Sequence, residues 1–155
     1  MQVRRFALAL ALLGLALPTL AQAQACQGTS SDTRLIVEVE GVRSSDGLMA
    51  VTLYPDDPDR FLAHHGSLKV ARVPAHDGAT DVCLFLPGPG YYAVAVYHDA
   101  NGNHHLDRSG LLPQEGSGLS NNPQVSLLHW PTLKASRFPT HAGDNHIAVA
   151  LRYPH

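Results

Sequence analysis

Apolar residues recur at every second position along Arg34 to Val42, with Leu35, Val37 and Val39 on one side and Glu38 and Glu40 on the other. A period of two buries one face of a strand and leaves the other in water. Such a strand needs partners, because a sheet of two is marginal in water. Six further runs supply them: Leu48 to Tyr54, Leu68 to Pro74, Thr80 to Leu86, Tyr91 to His98, Leu133 to Phe138 and Asn145 to Tyr153. Turn chemistry separates them. Ser44-Ser45-Asp46-Gly47 predicts that the first two strands pair back as a hairpin, Pro55-Asp56-Asp57-Pro58-Asp59 breaks the ladder, and Pro87-Gly88-Pro89-Gly90 forces a reversal. Arg60 to Gly66 is a connector with room for one helical turn, and the apolar and aromatic Tyr91 to His98 suits a central strand. Seven short strands without an amphipathic helix predict an all-β fold, a seven-stranded antiparallel two-sheet sandwich.

The first residues read differently. Arg4 and Arg5 precede an apolar run from Phe6 to Leu17, then Pro18 and the small-residue string Ala21-Gln22-Ala23-Gln24-Ala25. That order predicts a secretory signal peptide over 1–25, leaving 26–155 as one domain in the periplasm or outside the cell. The apolar run falls well short of the roughly 20 residues a spanning helix needs, so no membrane span is expected in the mature protein. A lipid-modified Cys26 would call for Leu at position 23, where Ala stands. Cys26 and Cys83 are the two cysteines, and in an oxidising compartment they predict a disulfide. Closing that loop stabilises a fold by about 4 kcal/mol in the chain-entropy view; the alternative is a buried free Cys83 and an unpaired Cys26. A net charge of −2 implies no broad basic surface, which sets nucleic acid aside as a partner.

Between His98 and Trp130 the strand pattern stops, and the chain turns rich in Asn, Asp, Gly and Ser. Structureless stretches of that length are usually functional or held by something. Asp99, Asn101, Asn103 and Asp107 fall at positions one, three, five and nine of a loop counted from Asp99, with Leu106 at eight. Alternate placement points oxygens inward, as a hard cation with six to eight oxygen ligands requires, and the His105 carbonyl adds another. The candidate metal set is therefore Asp99, Asn101, Asn103, His105, Asp107 and Glu115, with Ca²⁺ the expected ion. Two departures stand out: His104 occupies the sixth position, where the sharp turn favours Gly, and Gly110 the twelfth, where a bidentate Glu belongs. Glu115, three residues before Gly118, is the substitute. The competing reading is a loop of Asx turns in which Asp and Asn bond their own backbone. His98, His104 and His105 also raise a zinc or copper site, but no HExxH or His-x-His pair supports one. Gly116-Ser117-Gly118 lacks the nucleophile-elbow pattern, and Trp130 with Tyr91, Tyr92 and Tyr97 offers at most a sugar-stacking surface.

A strand ending Ala-Val-Tyr-His98-Asp99, then Asn101-x-Asn103 and Asp107, then Leu112-Pro113-x-Glu115-Gly116-x-Gly118-x-Ser120-Asn121-Asn122, resembles the exported bacterial domain-of-unknown-function family 2141. The resemblance runs from about Arg34 to Tyr153. It implies a transthyretin-like β-sandwich and no activity. Leu119 stands where an aromatic is usual in such a loop, which bears on packing and not on the polar residues. His98, Ser120, Asn121 and Asn122 join the metal set as signature residues.

The expectation is thus an exported binding or interaction module for a protein, small-molecule or carbohydrate ligand, with its polar loop ordered by calcium. A hydrolase using His98, Asp99 and Glu115 as acid and base groups is the alternative from another class; it requires a shared cleft and a perturbed pKa. The third reading is a structural envelope domain whose signature residues knit loop to sheet.

Overall fold

In the computed structural model, which describes residues 25–126 and 129–154, the alternation of the first strand is realised as β1 (Thr33–Val42). Leu35, Val37 and Val39 are fully buried and Glu38 and Glu40 exposed. The expected leader lies outside the described residues apart from Ala25. The other elements are β2 (Leu48–Pro55), β3 (Lys69–Pro74), β4 (Gly78–Phe85), β5 (Gly90–Asp99), β6 (Arg108–Ser109), β7 (Leu112–Pro113), β8 (Ser117–Leu119), α1 (Leu133–Ser136), β9 (Phe138–Thr140) and β10 (Gly143–Ala150). Among the described residues no helix is long and apolar enough to cross a membrane.

The chain is mostly β, arranged in several sheets, none closed. One sheet has the order β10-β1-β4, a larger one β3-β2-β5-β8 with β9 also on β5, and β6 and β7 make a small hairpin. A single hydrophobic cluster draws on both larger sheets: Leu35, Val37 and Val39, Val82 and Leu84, and Val149 from the first meet Met49, Val51, Leu53, Val94 and Val96 from the second. β5 is the central strand its composition predicts, bonded to β2 on one side and to β8 and β9 on the other.

Four expectations need correction. β1 and β2 do not form a hairpin; β1 pairs with β4 and β10, β2 with β3 and β5, so Ser44–Gly47 carries the chain from one sheet to the other. The pairing is not antiparallel throughout, because β10 runs parallel to β1, with Leu35 opposite Asn145 and Val39 opposite Val149. The segment Leu133 to Phe138 is not a strand. Thr132 caps a short helix over Leu133–Ser136, its hydroxyl accepting the Ala135 N–H at 3.3 Å, and extended chain resumes at Phe138. The stretch after His98 is not wholly irregular either, since β6, β7 and β8 lie within it; strands of two or three residues are too short to show a period.

Cys26 and Cys83 are joined as a disulfide. It fixes Gln27 along the outer edge of β4, with its N–H on the Cys83 carbonyl and its carbonyl taking the Phe85 N–H, both at 2.9 Å. The Gln27 amide reaches the Arg72 carbonyl of β3 at 2.8 Å, so one residue covers an edge in each sheet.

Candidate functional site

β5 ends in two buried polar residues, His98 and Asp99, which as neighbours on a strand project to opposite faces. The His98 ring is spanned by two partners: Nε2 lies 2.8 Å from the Asp46 carbonyl and Nδ1 2.9 Å from the Tyr153 hydroxyl. A carbonyl only accepts, so Nε2 carries the proton. The Tyr153 hydroxyl accepts the Arg43 N–H at 3.1 Å and, when the ring is neutral, donates to Nδ1. The Arg43 guanidinium covers the Tyr153 ring at 4.2 Å. Gly116 takes the His98 N–H on its carbonyl at 2.8 Å, and any side chain there would overlap the Tyr153 ring. His98 therefore ties the segment that follows β10 and the β1–β2 connection to β5. Both ring nitrogens are engaged within the fold.

Asp99 begins the polar loop and is fully buried. Its Oδ1 accepts the Asn103 N–H at 3.0 Å and its Oδ2 the His104 N–H at 2.8 Å, the amides of loop positions five and six. The chain turns left-handed at His104 (φ 67), the position where a cation loop favours Gly. A non-glycine residue there costs about 1 kcal/mol or more, and its N–H bond to Asp99 and its carbonyl bond from Arg72 Nη2 at 3.2 Å hold it in place. Asn101 Oδ1 accepts the Asn103 N–H at 3.0 Å and Asn103 Oδ1 the His105 N–H at 2.8 Å. Both amides then donate to one carboxylate, Asn101 Nδ2 to Asp107 Oδ2 at 2.7 Å and Asn103 Nδ2 to Asp107 Oδ1 at 2.9 Å. Glu115 Oε2 takes the Asp107 N–H at 3.2 Å.

Five residues of the candidate metal set, Asp99, Asn101, Asn103, Asp107 and Glu115, are thus brought into one hydrogen-bonded circuit. His105 joins through its backbone N–H, while its side chain is exposed. Burial raises the Glu115 pKa; a backbone bond to Asp107 opposes this, and the charges of Asp107 and Asp99 add to the rise. Among the described residues, no three His, Cys, Asp or Glu side chains gather as a ready metal set. The donors here are two amides and scattered carboxylates, and as they stand the amide N–H groups occupy the space before Asp107.

Ser120, Asn121 and Asn122 lie apart from this circuit. The buried Ser120 hydroxyl donates to the Ser136 carbonyl at 2.6 Å and accepts the Val94 N–H at 2.9 Å, joining β5 to the end of α1. Asn121 and Asn122 are both left-handed (φ 64 and 48). The Asn121 amide donates to the Arg137 carbonyl at 2.8 Å. Asn122 imitates a strand along the edge of β10, accepting the Ala150 N–H at 2.8 Å and donating to the Ala148 carbonyl at 3.3 Å.

A family model described as an uncharacterised protein conserved in bacteria (DUF2141) matches residues 37–148. The chain belongs to that family. No curated protein and no solved structure matches it. The DUF2141 span contains the whole loop circuit and the Ser-Asn-Asn edge cover, but not Tyr153, on which His98 rests. Sequence reasoning missed Tyr153, Arg43, Asp46, Arg72 and Gly47 as parts of this region. Gly47 is left-handed (φ 63), and a side chain there would overlap the Asp99 backbone oxygen. Its place in a turn was readable; its contact with residue 99 was not.

Proposed function

We propose that this protein is an exported, transthyretin-like β-sandwich, a binding or interaction module of the periplasm or cell exterior whose polar loop is a weak Ca²⁺ site. The observation that carries this reading is the shape around Asp99. The first acidic residue of the loop accepts the amides of positions five and six, and the backbone makes the sharp left-handed turn at position six without the glycine that makes it easy. A loop held in that shape aims Asn101, Asn103 and Asp107 at a common point. Cation entry rotates the two amides to present oxygen in place of N–H. Weak binding follows, on the order of 10⁻⁴–10⁻³ M as in extracellular modules, because Gly110 stands where the bidentate Glu would close the shell.

Calorimetric titration of the exported protein after chelator treatment tests this. The expected result is saturable heat with calcium and a rise in melting temperature; neither heat nor shift in millimolar calcium removes the cation from the reading. A specific observation favours a second reading: Ser120, Asn121 and Asn122 spend their polar groups on β5, α1 and β10. That pattern supports a structural envelope domain, and the calcium titration separates the two.

A further inference from the structure

Asn101 is the one asparagine of this chain that precedes a glycine; Asn103, Asn121, Asn122 and Asn145 precede His, Asn, Pro and His. That pairing has its own chemistry. The side-chain carbonyl carbon of Asn101 and the Gly102 nitrogen lie one bond short of a five-membered ring, so covalent tethering supplies the proximity an amide nitrogen needs to act as a nucleophile. Gly102 carries no side chain to shield that nitrogen, no atom lies within 4 Å of where a Cβ would stand, and both residues are exposed. The loop already holds the amide as an electrophile. Asn101 Oδ1 accepts the Asn103 N–H at 3.0 Å, a donor placed to stabilise negative charge developing on that oxygen. Nδ2 is held on Asp107 Oδ2 at 2.7 Å, so Cγ sits between two anchored atoms. The attacking nitrogen is the looser member, its N–H reaching the Asp99 carbonyl at 3.2 Å, the long end of a backbone bond.

We propose that Asn101 is a self-modification site: it loses its side-chain nitrogen through attack by the Gly102 backbone, and the carboxylate that results opens the loop's closed circuit and tightens its hold on a cation. The Gly102 N–H gives its proton to hydroxide, the nitrogen bonds to Cγ, and the Cγ–Nδ2 bond breaks as ammonia leaves with a proton from water. The cyclic imide then adds one water molecule. Opening at one carbonyl gives an aspartyl residue at position 101, and opening at the other gives an isoaspartyl linkage that routes the main chain through Cγ. In either product an acceptor-only carboxylate replaces the donor that closes on Asp107. Two like charges then face each other across the gap of one hydrogen bond, in a loop that already carries the charges of Asp99, Asp107 and Glu115. A bound cation relieves that repulsion, and affinity in such loops rises with the number of charged ligands. The binding half rests on the cation loop proposed above; the modification itself does not.

The test is site-resolved peptide mass spectrometry on the folded, exported protein, held in mildly alkaline buffer with chelator and in water enriched in heavy oxygen, so that each conversion carries a label. The expected result is label at position 101 accumulating at least about tenfold faster than at Asn103, Asn121, Asn122 or Asn145. Asn101→Gln, which would need a six-membered ring, should stay unlabelled there. A folded protein that stays unlabelled at Asn101 while a free peptide of residues 98–107 takes up label shows that the loop locks the amide, and overturns the inference. Calorimetry then compares the wild type with Asn101→Asp, the product made directly. About tenfold tighter calcium binding is expected from one added charge beside a divalent ion in a solvated loop, with a lower melting temperature in chelator. Equal calcium affinity overturns the link between modification and cation binding. Label at Asn101 with no calcium heat from either protein shows instead that the cation reading failed and the modification stands.

Discussion

Replacing Asp99 with alanine separates what its carboxylate does for the fold from what it does for a ligand. The side chain is fully buried and accepts two backbone amides. The His104 N–H has no other acceptor, whereas Asn103 N–H keeps Asn101 Oδ1 at 3.0 Å. One orphaned donor costs about 1–3 kcal/mol and one weakened bond to a charged acceptor about 1 kcal/mol. The left-handed His104 loses its principal support as well. Together these put the loss at about 2–4 kcal/mol, roughly a 10 °C fall in melting temperature for a domain of this size. Asp107→Ala is the control. Its partners are exposed Asn amides that water can satisfy, so the loss should stay below about 1 kcal/mol. Both variants should lose calcium affinity. Thermal unfolding in chelator followed by calorimetry in calcium reads the two effects in turn. If Asp99→Ala melts with the wild type, or Asp107→Ala falls as far, the assignment of Asp99 as the backbone anchor of the loop is wrong.

Three further outcomes follow from named contacts. Tyr153→Phe keeps the ring under Arg43 but removes the hydroxyl that joins the Arg43 N–H to His98 Nδ1; it should cost about 1–3 kcal/mol, read from the denaturant midpoint. Gly47→Ala meets both a left-handed backbone and the Asp99 oxygen, whereas Gly102→Ala (φ 69) meets open space; roughly 3 kcal/mol against about 1 kcal/mol is expected, and equal losses would refute the close approach. Glu115 has its pKa raised chiefly by burial, so the fold binds its proton more tightly than the unfolded chain does. Its contribution is present below the ordinary carboxylate value and is lost as pH rises through the raised value. In chelator, the melting temperature of the wild type minus that of Glu115→Gln should therefore fall across that window, and a flat difference would contradict it.

Much of the fold was legible because burial leaves a local trace. Leu35, Val37 and Val39 announce their face within five residues, and Tyr91 to His98 its central place. What failed was partnership. Nothing local tells Ser44–Gly47 whether to close a hairpin or to change sheets, since either route needs the same Gly and Asp; the parallel match of β1 with β10 spans the whole domain. Leu133 to Phe138 misled because one Thr cap outweighs a short β-like pattern. In the loop, spacing found Asp99, Asn101, Asn103 and Asp107 because their bonds to one another span no more than six residues. Tyr153 and Gly47 escaped because their contacts with His98 and Asp99 arise only once the sheets have assembled.

The self-satisfied circuit also sets how a cation should behave here. An empty calcium loop that leaves carboxylates facing one another is loosened by repulsion, and binding then orders it. This loop instead closes the Asp107 carboxylate with two amide donors and braces Asp99 on backbone. A cation must displace the two exposed Asn–Asp bonds, together worth less than about 1 kcal/mol because water can replace them, before its own attraction counts. A net affinity of 10⁻³–10⁻⁴ M corresponds to about 4–5.5 kcal/mol, so the gross attraction exceeds that by less than about 1 kcal/mol. Stabilisation at a tenfold excess of calcium over the dissociation constant is then about 1.4 kcal/mol. The shift should vanish in Asn101→Ala/Asn103→Ala if the amides turn to become ligands, and persist if a cation binds Asp107 without them.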